Sequence, residues 1–162
     1  IIVGTTLYYF LGKWTADEIR SFESKEPKTL CINALEMATQ KFMVYLGTSL
    51  DFPVQPAPLI GEAILPKCDN GTTVTLKESY RARSEHLAQL LEDYDFITAK
   101  HGVRVFMVHI PGVLNRASDI LSRDGVCQAF YDAVRNDFPH VQKCQDISSL
   151  LPEGVRSLDN VL

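Results

Sequence analysis

The chain has 162 residues and a formal net charge of −4, with 46% hydrophobic and 22% charged residues. These values are ordinary for a single globular domain and provide enough apolar residues for a sizeable core. The sequence contains no run of about 18 apolar residues, so it predicts no transmembrane helix. The start of the chain lacks the basic region of a signal peptide. The negative charge argues against a strongly basic nucleic-acid-binding domain, but it leaves room for basic residues along one face.

The cysteines at positions 31, 68, 127 and 144 show neither C-x-x-C spacing nor a nearby histidine cluster. This pattern indicates reduced thiols rather than a disulfide framework or a zinc site. Because nothing in the sequence signals secretion, we expect an intracellular protein of the cytoplasm or nucleus, with no membrane contact.

The chain begins with β-prone residues. Residues 1–12 are rich in Ile, Val, Thr and Tyr and predict one or two strands, with a bend near Gly4 or Gly12. Thr15 opens a capping-box pattern that favours a brief helix. The polar residues 22–29 predict a loop.

An amphipathic helix is predicted over residues 32–46. Its apolar stripe recurs at helical spacing and consists of Leu35, Ala38, Phe42 and Leu46, with Met43 beside it. The proline-rich residues 47–58 predict an extended loop. Residues 59–68 predict a strand in which Pro66 lies near the end, where a missing N–H is tolerated.

Two further helices are predicted, over residues 72–79 and over residues 84–100, and Gly102 closes the second. The inward stripe of the second helix consists of Leu87, Leu90, Leu91 and Tyr94.

Residues 103–110 predict a buried strand because β-branched and apolar residues dominate them. We expect this strand to neighbour residues 59–68 in one sheet, with the helix over residues 32–46 packed on it. Pro111 and Gly112 end the strand.

After this turn, Asn115 is a candidate N-cap for a helix on which Ala117, Ile120 and Leu121 share one face. Residues 126–137 predict another amphipathic helix. Residues 145–162 predict a weakly ordered tail or a link to a following domain. The order of elements indicates a mixed α/β fold.

The most specific signal lies at residues 109–123, which read HIPGVLNRASDILSR. This stretch resembles the end of the ribonuclease H domain of retroelement polyproteins, in particular those of DIRS-like and gypsy-like retrotransposons. In that family the aspartate four residues after the asparagine is the last metal-binding carboxylate, which corresponds here to Asp119. His109 itself is expected to be a core or turn residue.

Two other segments extend the resemblance. Residues 33–36, NALE, resemble the segment that carries the family's metal-binding glutamate, here Glu36. Residues 68–70, CDN, resemble its T-D-N segment, in which the metal ligand corresponds to Asp69. The resemblance covers residues 1–124 and implies a ribonuclease H-like α/β fold, a mixed sheet with helices on both faces. Residues 125–162 would then be a C-terminal helix and a tail or linker.

The implied activity is that of a hydrolase, an endonuclease that cleaves RNA in RNA–DNA hybrids beside the reverse transcriptase domain of the same polyprotein. Glu36, Asp69 and Asp119 would be catalytic and would hold two Mg²⁺ or Mn²⁺ ions. Carboxylates that converge from separate elements form a hard, oxygen-rich site that suits these ions. The candidates for substrate binding are Asn70 and the basic residues Lys67, Lys77, Arg81, Arg83, Arg116 and Arg123.

One feature of the family is not found in this sequence. The family's first catalytic aspartate lies on the first strand of the sheet, whereas the first acidic residue here is Asp17. Either the chain is cut from a longer polyprotein or its gene has lost this strand, and we expect the chain alone to cleave weakly or not at all. Two other functions stay open: a catalytically inactive structural module of a polyprotein, and a non-nuclease α/β binding protein.

Overall fold

The computed structural model of the chain describes residues 1–151, apart from residues 13, 15, 26, 27 and 83. The fold is mixed α/β, as the order of the predicted elements indicated. The predicted cap Thr15, the candidate Arg83 and residues 152–162 lie outside the described residues.

Short strands alternate with longer helices. The strands in the described part of the chain are β1 (Ile2–Val3), β2 (Thr6–Tyr9), β3 (Ala63–Ile64), β4 (Lys67–Cys68), β5 (Arg104–Val105), β6 (Val108–His109) and β7 (Lys143–Asp146). The α-helices are α1 (Ala16–Lys25), α2 (Lys28–Thr48), α3 (Gly71–Ser79), α4 (Glu85–Lys100), α5 (Arg116–Asp124) and α6 (Gln128–Asp137). Single 3-10 turns occur at Gly112–Leu114 and Ser148–Leu150.

The first two helices are longer than the apolar pattern predicted. Helix α2 extends beyond the predicted residues 32–46 at both ends, and α1 continues to Lys25. The loop predicted for residues 22–29 is therefore wrong where those residues are described, because Glu and Lys favour helices even without an apolar stripe. The helices predicted later in the chain are confirmed as α3, α4 and α6.

Strands β1, β2 and β7 form one sheet. β1 and β2 are antiparallel, and Gly4 makes the predicted bend between them with a φ of +58°. β7 runs parallel to β2, and the N–H of Ile147 then donates to the carbonyl of Tyr9. The weakly ordered tail predicted from residue 145 is therefore wrong for residues 145–151, because a strand distant in sequence pairs with them.

The two stretches predicted as neighbouring strands do pair. β3 runs parallel to β5, and β4 runs parallel to β6. One series of hydrogen bonds continues through both pairs: the N–H groups of Arg104, Phe106, Val108 and Ile110 donate to the carbonyls of Glu62, Ile64, Pro66 and Cys68. The pairing is interrupted at Pro66 because proline has no N–H to donate in return. We call residues 62–68 and 104–110 the parallel pair.

Helix α2 packs on α4, and the parallel pair contributes to the same core. The buried residues of this core include Ala34, Met37, Ala38 and Phe42 from α2 and Leu87, Leu90, Leu91 and Tyr94 from α4. Ile64 and Val105 pack against it from the parallel pair. In the part of the chain that the structure describes, no helix combines the length and apolar character needed to cross a membrane.

A second core lies between β2 and helices α5 and α6. Its members include Ala117, Leu121, Phe130 and Val134, with Leu7 and Tyr9 packed against them. The predicted inward face of α5 is confirmed. Asn115 occupies the N-cap position of α5, but its side chain makes no capping hydrogen bond. Its backbone continues from the preceding 3-10 turn instead of adopting the extended conformation of a capping residue.

Within the described residues, the parallel pair is covered on one face only. On its inner face Pro66 and Cys68 are buried, whereas Leu65 and Phe106 on the outer face are each 60% exposed. The expectation of helices on both faces of the sheet is therefore wrong for this part of the fold.

A buried ion pair joins α2 to α4. Lys41 Nζ lies 2.7 Å from Asp93 Oδ2, and the two side chains are 1% and 11% exposed. The other carboxylate oxygen of Asp93 accepts a hydrogen bond from Gln89. Both charges are removed from water, so either one left alone would be costly.

We expect Asp93→Ala to lower the free energy of unfolding by about 3–5 kcal/mol, because it leaves the Lys41 ammonium buried and unpaired. Asp132→Ala is the matched control, since Asp132 also accepts hydrogen bonds from a glutamine four residues earlier and from a cation. That pair is exposed, and its loss should cost less than about 1 kcal/mol. Urea unfolding of both variants measures the difference, and equal losses would contradict the prediction.

Candidate functional site

The candidate site lies at the carboxyl end of the parallel pair. Asp69 directly follows β4, and Asn70 is the N-cap of α3. The Asn70 side-chain oxygen accepts hydrogen bonds from the N–H groups of Thr72 and Thr73 at 2.8 and 3.2 Å. A strand that ends in Asp-Asn-Gly thus turns directly into a helix, as expected for an asparagine cap.

Asn70 also ties this turn to α2. Its side-chain N–H donates to Asn33 Oδ1 at 2.9 Å. Asn33 lies three residues before Glu36 on α2, so the two side chains share one face of that helix. The amide pair therefore holds the Glu36 face of α2 against the start of α3.

The carboxylate of Glu36 lies within electrostatic reach of Asp69. Burial raises the pKa of Glu36, and the negative charge of Asp69 raises it further, while the side chains of Asn70 and Thr73 oppose the shift. Glu36 Oε2 is buried and has no hydrogen-bond partner among the described residues. The structure thus places two predicted site residues together, in a partly desolvated position that favours neutralisation of charge.

Two buried residues lie next to the carboxylates. Thr73 is 1% exposed, and its side chain lies close enough to Glu36 to oppose the rise in the pKa of that carboxyl. Cys68 is buried, and burial raises the pKa of its thiol, with the charges of Glu36 and Asp69 adding to the effect. A thiol with a raised pKa is a poor nucleophile, so this cysteine is a packing residue.

The turn after β6 also reaches the site. Asp69 Oδ2 lies 3.8 Å from the position that a Cβ on Gly112 would occupy. The ring of His109 lies 3.8 Å from the corresponding position on Gly71, at the start of α3. His109 is exposed at the end of β6, so of the two expected locations, core or turn, it has the one next to the turn, beside the site.

Asp119 is not part of the Glu36–Asp69 cluster. It lies in the first turn of α5, as predicted, where its side chain is 44% exposed and bonds Arg123 Nη2 at 2.9 Å. Among the described residues, no group of three or more His, Cys, Asp or Glu side chains is arranged to hold a metal ion. The predicted convergence of three carboxylates is therefore not seen, because α5 packs on α6 and β2 while Arg123 holds Asp119.

The remaining candidates are divided between exposed and paired positions. Lys67 and Arg116 are exposed, whereas Arg123 pairs with Asp119 and Lys77 pairs with Asp95 in a partly buried position. Sequence reasoning missed Thr73, and it named Asn33 only as part of the segment that carries Glu36. The spacing of Asn33 and Glu36 on one helix face was the available signal for Asn33.

Comparison of the chain with protein-family models, with curated proteins and with solved structures found no match.

The donor set is compatible with a divalent ion. The orphaned oxygen of Glu36 and the hydroxyl of Thr73, with the carboxylate of Asp69 nearby, are hard ligands. Mg²⁺ is commonly held by only one or two carboxylates, with water and substrate phosphates completing its coordination. Glu36 and Asp69 therefore satisfy the minimum for such an ion without Asp119.

We expect Glu36→Gln to be more stable than the wild type at neutral pH and equally stable at a pH below the ordinary carboxyl range. Because the folded-state pKa of Glu36 is raised, its ionisation costs stability as the pH rises through the unfolded pKa, and the cost is complete above the folded one. Thermal unfolding across this pH range measures the difference.

Mn²⁺ should raise the melting temperature of the wild type and should leave that of Glu36→Gln unchanged, because binding to the folded state stabilises it. Glu92→Gln, on the exposed side of α4, is the control and should respond as the wild type does. An equal response of all three proteins to Mn²⁺ would remove Glu36 from any metal site.

Proposed function

We propose that this chain is a ribonuclease H-like domain that cleaves the RNA strand of RNA–DNA hybrids in a metal-dependent reaction, as reverse transcription of a retroelement requires. One observation carries the proposal. Glu36 on α2 and Asp69 after β4 come together at the place where Gly112 of the HIPG segment also arrives. Segments that resemble the same family are distant in sequence and adjacent in space.

Glu36 and Asp69 are the residues that would hold Mg²⁺ or Mn²⁺. Such ions, when bound, supply Lewis-acid charge neutralisation to phosphodiester cleavage. The chain's own contribution is positioning: Asn70 fixes the start of α3 and contacts α2, so both carboxylates are held by regular elements. Cys68 and Thr73 exclude water from the side behind them.

Asp119 is a third ligand within this proposal. Its pairing with Arg123 is an exposed contact between residues four apart on one helix. Pairs of this kind contribute only about 0.3–0.5 kcal/mol. Asp119 can therefore exchange Arg123 for a metal ion, and Arg123 can exchange Asp119 for a substrate phosphate, at little cost. Each residue would then take the role that the resemblance implies.

A catalytically inactive ribonuclease H-fold module of a polyprotein is the second candidate. The observation in its favour is that Arg123 neutralises Asp119. A non-nuclease α/β binding protein is the third, and the net charge of −4 supports it. Both rivals predict that the carboxylates are dispensable for any activity on nucleic acid.

The test is cleavage of a labelled RNA–DNA hybrid with Mg²⁺ or Mn²⁺, by the longest natural form of the protein that contains these residues. We expect Glu36→Gln and Asp69→Asn each to lower the rate at least roughly a hundredfold, about 2.7 kcal/mol of transition-state stabilisation. The exposed Asp124→Asn at the end of α5 is the control and should be unaffected.

The outcomes separate the candidates. Loss of activity in Asp119→Asn would place Asp119 in the working site, and unchanged activity would remove it. If the wild type binds Mn²⁺ but cleaves no hybrid, the inactive module is the correct reading. If Glu36→Gln and Asp69→Asn cleave as the wild type does, the proposed site is wrong.

A further inference from the structure

The outer face of the parallel pair is open. Side chains alternate along residues 103–108. Val103 and Met107 are buried, whereas Arg104, Phe106 and Val108 are exposed. The partner strand alternates in the same way. The outer face therefore consists of Ala63, Leu65, Lys67, Arg104, Phe106 and Val108.

An open face is unusual for parallel strands. Sheets of parallel strands are normally covered on both sides. Here Leu65 and Phe106 lie on adjacent strands, and each is 60% exposed. A contiguous apolar surface of this kind indicates a binding surface.

The charges of the outer face indicate which kind of partner it binds. Lys67 and Arg104 are its ionisable residues, and both are cationic. Glu62 alternates to the opposite side, whereas Asp69, exposed two residues after Lys67, borders this face at the candidate site. A second copy of this face would bring like charges together, so a second copy of the chain is disfavoured and a polyanion is favoured.

The outer face also leads to the carboxylates. Lys67 lies two residues before Asp69 on the strand that ends at the candidate site. A flat aromatic side chain between cations on a sheet surface matches a nucleic-acid strand, whose bases stack while its phosphates pair with Lys and Arg. An acidic peptide would satisfy the cations but has no need of the exposed ring.

We propose that the outer face binds single-stranded nucleic acid, with a base stacked on Phe106 and the phosphates held by Arg104 and Lys67. The biological role of this binding rests on the proposed function, since the strand held here would be the unpaired continuation of the hybrid that Glu36 and Asp69 act on. Binding and cleavage are nevertheless measured separately.

The test is fluorescence anisotropy of a labelled single-stranded RNA of roughly 12 nucleotides, within the range of known single-strand sites. EDTA is present, so that no cleavage occurs. We expect Phe106→Ala and Phe106→Leu to weaken binding roughly tenfold and Phe106→Trp to retain it, since stacking needs a ring rather than an apolar group. Phe96→Ala is the matched control, because Phe96 on α4 is 57% exposed and should not matter.

The cations give a second measurement. Lys67→Glu and Arg104→Glu should each reduce the slope of log affinity against log salt concentration by roughly 0.7, the value for one phosphate on a single strand. Lys100→Glu, an exposed residue at the end of α4, should leave the slope unchanged.

Three results would overturn the proposal: no RNA binding by the wild type, equal effects of Phe106→Ala and Phe96→Ala, or equally tight binding of poly-glutamate. The last result would assign the outer face to an acidic protein partner. The Glu36→Gln and Asp69→Asn variants should bind this RNA as the wild type does. If the wild type binds this RNA but cleaves no hybrid, the result therefore counts against the proposed function alone.

Discussion

The packing of α2 against α4 is the interaction on which the candidate site depends. Ala34, Met37 and Ala38 are completely buried, so α2 cannot rotate or slide without opening the core. Glu36 lies between these residues along the helix, and its carboxylate is therefore held at the edge of the core. The buried pair of Lys41 and Asp93 adds a directional contact between the same two helices, and such contacts favour one register over others.

Stability disfavours the buried charge that the proposed metal site requires. Placing Glu36 near Asp69 in a partly buried position raises the pKa of Glu36 and disfavours its ionised form. Strain of this kind is typical of binding and catalytic sites, where an ion or a substrate removes it. Asn70 limits the cost because its side chain opposes the rise in the pKa of Glu36.

The parallel pair connects the interior of the protein to its surface. Its inner face supplies Ile64 and Val105 to the core, and its carboxyl end delivers Asp69 and Gly112 to the same place. Its outer face stays open. Pro66 interrupts the pairing in the middle without changing the alternation of side chains, because the donors on the other strand continue past it. Core, site and open surface are therefore consequences of one pair of strands.

The sequence by itself determined the local features: the helices with periodic apolar stripes and the turns at Gly4 and Gly112. These follow from side-chain spacing and from turn chemistry, which act over a few residues. Only the tertiary structure decided that β7 pairs with β2, that Thr73 and Asn33 join the site, and that Asp119 is bonded to Arg123. Each of these depends on which elements pack together, because strand pairing and the choice between competing partners for one carboxylate are set by distances in space.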